Sequence, residues 1–241
     1  MKGIILAGGT GSRLLPLTKV TNKHLLPVGR IPMVEHCVNK LVSAKIKDIM
    51  IVTGTEHVGD MITHLGSGSE FGCNFTYRVQ DVPDGIAGAL LLCEDFVGND
   101  SCAVLLGDNI FSENLENAIE KFKNINVKIP KCLLCLKHVD DPTRFGVPKF
   151  DNSGENIIKI FEKPKDPPSS YCITGIYLYD KNVFSYIRNL KKSSRGEYEI
   201  TDVNNLYVDS GKVFSYTLEG WWTDAGTHDS YAQANNLLRG F

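Results

Sequence analysis

The run Leu6-Ala7-Gly8-Gly9-Thr10-Gly11-Ser12-Arg13-Leu14 places three glycines and one guanidinium directly after a short, strand-like apolar segment. Glycines there allow φ > 0 and let bare backbone approach a ligand. Successive N–H groups then form an anion-binding concavity, to which an arginine adds a rigid fork of donors for phosphate oxygens. The plainer alternative is a tight strand-to-helix turn with a solvated Arg13. A Walker A loop would need Gly-Lys-Ser/Thr at its end, and no lysine stands there. A dinucleotide fingerprint begun at Gly9 would need glycine where Leu14 stands. The loop reads as a phosphate holder of neither common type.

Two carboxylates from distant segments could complement it. Asp108, in Leu105-Leu106-Gly107-Asp108-Asn109, is expected to end a buried strand, where a carboxylate is costly unless it meets water, a donor or a metal. Its alternative role is to cap a following helix. Asp224 lies among small residues in Trp221-Trp222-Thr223-Asp224-Ala225-Gly226-Thr227-His228. A pair of carboxylates is the usual protein share of an Mg²⁺ site, with substrate phosphates and waters as the other ligands. Lys23 and Lys163 each lie beside a proline-fixed turn, although either alone reads more simply as a solvated surface residue. Arg195 precedes a helix start whose acidic residues suit the macrodipole. His36, His57, His64 and His138 lack partners at metal-ligand spacing, and the sequence has no nucleophile elbow, paired Cys/His signature or zinc pattern. Covalent catalysis is thereby disfavoured, and phosphoryl-type transfer, which depends on positioning and charge neutralisation, is favoured.

The elements that must position these groups alternate. Strand-like segments at 2–6, 48–53, 75–80, 102–106 and 131–139 are interleaved with helical patterns at 33–44, 59–65, 85–97 and 115–122. That rhythm predicts a mostly parallel sheet covered on both faces. Strands at 146–150, 157–162 and 171–179 follow, then helices at 182–190 and 200–209, a strand at 213–218 and a last helix through 231–238. No linker or repeat separates the halves. The expectation is one domain over 1–241, with a nucleotide-binding lobe at about 1–139 and a substrate lobe at about 140–241. Ligands of such sheets lie beyond the carboxyl ends of the strands, where the polar groups above fall.

The chain has 241 residues and a formal net charge of −2, with no run of like charges, so it carries no electrostatic footprint for nucleic acid or membrane surfaces. Its seven cysteines are scattered. Cys132 and Cys135 have CxxC spacing but fall in a strand, where residues i and i+3 point to opposite faces. Reduced core thiols in a cytoplasmic protein are the expectation. The apolar start is too short for a signal peptide, and nothing approaches the ~20 apolar residues of a membrane span.

Together, LAGGTGSRLLPLT (6–18), NKHLLPV (22–28), VQDVPDGIAGAL (79–90), LGDNIF (106–111), DDPTRFGV (140–147), FEKP (161–164), TGIYLYD (174–180), RGEYEITD (195–202) and WWTDAGTH (221–228) resemble the sugar-1-phosphate nucleotidylyltransferases. The resemblance spans nearly the whole chain. It implies a Rossmann-like three-layer α/β sandwich with a mixed, mostly parallel central sheet, and Mg²⁺-dependent transfer of a nucleotidyl group from dTTP (or UTP) to glucose 1-phosphate. Such a product would supply deoxysugar and surface polysaccharide synthesis. The resemblance assigns Leu6, Gly8, Gly9, Gly11 and Arg13 to the nucleotide, Gln80 and Gly85 to the pyrimidine edge, and Lys23 to the bridge between the α-phosphate and the incoming sugar phosphate. Asp108 and Asp224 would hold Mg²⁺. On the sugar side, Asn109, Gly146, Glu162 and Ile173 would bind the sugar, while Lys163 and Arg195 would bind its phosphate.

Departures from the family pattern are Gly88 where glutamine is common, Ala225 for threonine and Phe145 for tyrosine. Many members also continue into a helical extension beyond the position of Phe241, so feedback inhibition is not expected here. Members commonly form dimers or tetramers, which implies a homo-oligomer. Rival readings are the same chemistry with UTP or another sugar, and an inactive nucleotide-sugar-binding subunit. Leu14 and the lack of a companion substrate domain disfavour a dinucleotide-dependent oxidoreductase.

Overall fold

The computed structural model describes residues 1–125 and 130–239; the position of Phe241 lies outside them. β1 (Lys2–Ala7), with Ile4 and Ile5 fully buried, delivers the glycine loop. Two single 3₁₀ turns follow, then the small hairpin of β2 (Pro27–Val28) and β3 (Ile31–Pro32), which leads into α1 (Met33–Ser43). Next come β4 (Asp48–Gly54), α2 (Val58–Leu65), β5 (Asn74–Gln80), α3 (Ile86–Leu91) and α4 (Glu94–Val97). The chain continues through β6 (Cys102–Leu106), β7 (Asn109–Phe111), α5 (Glu116–Asn124) and β8 (Cys132–His138). The second half holds β9 (Gly146–Phe150), β10 (Ile157–Glu162), β11 (Tyr171–Tyr179), α6 (Val183–Arg188) and α7 (Ile200–Asp209). It closes with β12 (Val213–Thr217), β13 (Trp222–Asp224) and α8 (His228–Arg239).

The main sheet has the order β10-β9-β11-β6-β1-β4-β5, with β8 also paired to β11 and β12 to β8. The pairings make β1, β4, β5, β6, β8, β9 and β12 run one way and β10 and β11 the other, a mixed and mostly parallel sheet. Side chains alternate between two cores. Ile5 and Ala7 pack under α1, α2 and α5, while Ile4 and Leu6 pack under α3, α6 and α7. Cys135 and Cys132 divide in the same way, one on each side of the sheet, as the strand spacing requires. All seven cysteines are free and buried.

Two expectations need correction. The helix expected over 85–97 is broken at Cys93, whose N–H bonds to Leu90 O one residue short of the α-helical partner. Asp108 neither ends a buried strand nor caps a helix. β6 stops at Leu106, Gly107 N–H still bonds to Leu6 O, and Asp108 occupies the turn into β7. β7 exists because β13 pairs with it antiparallel, Asn109 opposite Asp224. A partner so distant in sequence leaves no local periodicity to read. That two-stranded ribbon is what brings the two aspartates together.

Candidate active site

The glycine loop is held from both ends. Gly11 takes φ +68°, and Thr18 Oγ1 donates to its carbonyl at 2.8 Å. The chain then makes only one 3₁₀ turn, Ser12–Leu14, instead of an α-helix. Leu14, in the position that disqualified a dinucleotide fingerprint, is fully buried in a third apolar cluster with Leu26, Met33 and Ile110. This anchor leaves Arg13 outside, with no hydrogen-bond or ion-pair partner among the described residues. Gly8 and Gly9 serve close approach. A Cβ on Gly8 would lie 3.2 Å from Gln80 Oε1 and 3.3 Å from Gly54 N, and one on Gly9 would lie 3.1 Å from Lys23 Cε.

Lys23 is buried, against the simpler reading of it as a surface lysine. Asn22 accepts from the His24 backbone N–H at 2.9 Å, capping the 3₁₀ turn Lys23–Leu25, and its amide reaches Ala7 O. Asn22 Oδ1 also lies 2.8 Å from His24 Nδ1, which makes Nδ1 the protonated ring nitrogen. His24 is enclosed beside Gly107. Burial first, then the Lys23 charge, pushes its pKa down from 6.5 to about 3, so the ring is neutral at pH 7. The turn aims Lys23 Nζ at Asp108 Oδ2, 2.5 Å away. Burial acts to raise the Asp108 pKa, but the adjacent ammonium outweighs it, and the carboxyl stays well below the usual carboxylate range.

Asp108, Asp224 and Arg13 meet around Gly226. A Cβ there would lie 3.2 Å from Asp108 Oδ2, 3.4 Å from Arg13 Nη2 and 3.7 Å from Asp224 Oδ2. Burial raises the Asp224 pKa, with Arg144 lowering it and the Asp108 charge raising it. Arg144 Nη2 donates to both Asp224 oxygens, at 2.9 and 3.2 Å. Among the described residues no group of three or more His, Cys, Asp or Glu side chains could hold a metal unaided. Two converging carboxylates, oxygen donors without sulfur or imidazole, nevertheless fit a hard divalent cation that takes its remaining ligands from phosphates and water.

Two cavities share this centre. One, of about 530 Å³, is lined by Leu6, Gly8, Gly9, Lys23, Gln80 and Gly85. The other, of about 200 Å³, is lined by all the residues expected on the sugar side: Asn109, Gly146, Glu162, Lys163, Ile173 and Arg195, with Asp224. Arg13, Asp108, Lys163 and Arg195 line both. Gly11 lines neither; its contribution is the loop's conformation.

The sugar-side charges are already paired with one another. Arg195 binds Glu199 through Nε at 3.1 Å and Nη2 at 2.7 Å, and reaches Glu162 at 3.2 Å. Thr201 Oγ1 donates to Glu162 at 2.6 Å, and Lys163 lies 3.1 Å from the same carboxylate. Lys163 takes φ +45°, a backbone conformation rare outside glycine and concentrated at functional sites. Asn109 is turned inward. Its Oδ1 accepts from Gly175 N–H and Trp222 Nε1–H, each at 2.8 Å, and its amide donates to Asp108 at 3.1 Å. It is a clasp behind the site. Phe145 packs edge-on against Trp222, and Asp84 fills the space left by Gly88. Sequence reasoning passed over Asn22, His24, Arg144, Glu199 and Thr201, although each lies inside a motif quoted above. Arg144 and Thr201 have partners remote in sequence, whereas the Asn22–His24 and Arg195–Glu199 pairs are local and their spacing could have been read.

The profile of the nucleotidyl transferase family matches residues 2–240. The glucose-1-phosphate thymidylyltransferase of Mycolicibacterium smegmatis is 40% identical over 99% of this chain and 82% of its own length. That of Neisseria meningitidis is 39% identical, over 99% and 83%. A Bacillus anthracis crystal structure, provisionally assigned as a glucose-1-phosphate thymidylyltransferase and in complex with sucrose, superposes with a TM-score of 0.94 at 60% identity, covering 100% of this chain and 96% of that one. A UDP-glucose pyrophosphorylase complexed with UDP-glucose shares the fold, with a TM-score of 0.85 at 24% identity over 99% of this chain and 98% of its own.

Proposed function

The chain belongs to the nucleotidyl transferase family, and from that premise we propose that it joins dTTP and glucose 1-phosphate into dTDP-glucose and pyrophosphate. The observation that carries the reading is the pair of cavities meeting at Arg13, Asp108 and Lys163, one floored by the glycine loop and the other walled by charged side chains. The triphosphate lies over Gly8 and Gly9, with Arg13 on its phosphates. Glucose 1-phosphate enters the smaller cavity, its hydroxyls toward Glu162 and Gly146 and its phosphate toward Lys163 and Arg195. Because those cations are paired with Glu162 and Glu199, the incoming phosphate takes them over by exchange.

A phosphate oxygen of the sugar phosphate is already anionic near pH 7, so it attacks the α-phosphorus without a general base. The new P–O bond forms as the bond to the β-phosphate bridging oxygen breaks, and pyrophosphate carries away that electron pair. The obstacle is repulsion between two polyanions, which Arg13 and Lys23 offset from fixed positions. Asp108 and Asp224 would hold Mg²⁺, which when bound supplies further neutralisation of phosphate charge. UTP differs from dTTP by the loss of the thymine methyl, worth ~0.8 kcal/mol if fully buried, and by an added ribose 2′-hydroxyl.

The seven buried free thiols suit a reducing cytoplasm, and among the described residues no helix is long and apolar enough to cross a membrane. Exposed Leu15, Leu17 and Val20 on one short stretch support a homo-oligomer. The deciding experiment is pyrophosphate release across the eight common nucleoside triphosphates with glucose 1-phosphate and Mg²⁺. Release fastest with dTTP is expected; no release with any of them overturns the reading.

A further inference from the structure

We propose that Asp84 fixes the base specificity of this site by locking the side-chain amide of Gln80 in one orientation. The proposal rests on the reading that Gln80 faces the pyrimidine edge. Gln80 ends β5, and its Nε2 donates to Asp84 Oδ1 at 3.0 Å and to Gly85 O at 3.3 Å. Both partners are acceptors only, so the amide cannot be turned over without facing oxygen with oxygen. Gln80 Oε1 is thereby left pointing toward Gly8, 3.2 Å from where a Cβ on that glycine would stand, and no donor among the described residues reaches it. A free acceptor at the rim of the larger cavity matches a base that presents a ring N–H, as thymine and uracil do at N3. Cytosine presents a lone pair at that position and meets it with repulsion.

Asp84 is built into this position. Its backbone carbonyl accepts from Tyr198 N–H at 2.7 Å, and Lys192 Nζ lies 3.5 Å from Oδ2. Its carboxylate occupies the space that any side chain at position 88 would need: a Cβ on Gly88 would lie 2.2 Å from Asp84 Oδ1 and 2.8 Å from its Cγ. Gly88 and Asp84 are therefore one device. The absence of a side chain at 88 admits the carboxylate that orients Gln80.

The test measures dissociation constants for dTTP and dCTP by calorimetry with Mg²⁺, alongside pyrophosphate release, in the unaltered protein and in Asp84→Asn, Gly88→Ala and Gln80→Ala. Asp84→Asn offers Gln80 either a donor or an acceptor. Gly88→Ala displaces the carboxylate without removing it, so two independent variants probe the same contact. The unaltered protein is expected to prefer dTTP. In both Asp84→Asn and Gly88→Ala the preference should fall about tenfold or more, the scale of one mis-paired buried contact. A general loss of packing would weaken both nucleotides together and leave the ratio where it was. If Gln80→Ala shifts the ratio while the other two do not, the role of Asp84 is overturned and base reading by Gln80 stands. If Gln80→Ala leaves the ratio unchanged, or the unaltered protein shows no preference, the base-reading premise fails and the proposal with it.

Discussion

At Lys23 and Asp108 the proposed catalysis and the stability of the fold would draw on one ion pair. The pair is nearly enclosed, with side chains 11% and 13% exposed, so removing one partner strands the other charge. Asp108→Asn should lower kcat by ~10²–10³, the usual loss for one charge-stabilising contact. It should also destabilise the protein by ~3–5 kcal/mol, because the Lys23 ammonium is left buried without its counter-charge. The double variant Lys23→Met/Asp108→Leu separates the two effects: urea unfolding should recover most of the stability, while pyrophosphate release should stay at least as low as in the single variant. Recovery of activity in the double variant would remove both residues from the mechanism. His24 adds a pH effect. Its folded pKa of about 3 lies below the ordinary 6.5, so between those values the unfolded chain binds the extra proton and acid favours unfolding. His24 should contribute a loss of roughly 1.4 kcal/mol per pH unit as pH falls through that window. His36, also lowered by burial, acts in the same direction, so the diagnostic quantity is the difference between unaltered protein and His24→Gln in denaturant titrations from pH 7 to pH 5. Parallel curves would refute the assignment.

At the scale of elements, the site depends on a joint between two sheets. Along β11, Ile176–Tyr179 pair with β6 while Ile173 pairs with β9, and Gly175 falls between them. Asn109, at the start of β7, fills that break, and only glycine fits at 175, since a Cβ there would lie 2.6 Å from the Asn109 amide. Through Trp222 the same amide fixes β13 and with it Asp224. Asn109→Ala orphans two buried donors, and at ~1–3 kcal/mol for each the variant should lose ~2–6 kcal/mol in urea unfolding. Asn109→Leu keeps the bulk without an acceptor and should lose about as much; a clearly smaller loss would mean that bulk alone matters. This joint also marks the limit of what the sequence made legible. The strands over 146–150, 157–162 and 171–179 could be read to the residue, because alternation and turn residues are local signals. The β7–β13 ribbon could not, because each strand is three residues long and is defined only by its distant partner. For the same reason the three bonds of Asn109 to Asp108, Gly175 and Trp222 could not be read in sequence, and the family resemblance assigns the residue to the sugar.

Across the whole molecule the two lobes expected from the sequence share one sheet in a way that ties them together. β6, from the first lobe, pairs with β11, from the second. β8, the last strand of the first lobe, is enclosed between β11 and β12 of the second. Neither lobe can leave without breaking a central ladder and exposing both apolar faces, because the two cores on either side of the sheet draw residues from both halves of the chain. We therefore expect a single cooperative unit, because neither core belongs to one half of the chain. Both tryptophans, Trp221 and Trp222, lie in the second lobe, whereas the helices are spread over both, α1 to α5 in the first and α6 to α8 in the second, so fluorescence follows one half and dichroism the whole chain. In urea, tryptophan fluorescence and far-ultraviolet circular dichroism should give one midpoint and one slope. Saturating dTTP, whose expected contacts Gly8, Gly9 and Gln80 lie almost entirely in the first lobe, should move both curves equally, by ~2.7 kcal/mol at a hundred times its Kd. A fluorescence curve left in place while the dichroism curve shifts would mean that the second lobe unfolds on its own, and the chain would then be two domains with the active site at their boundary.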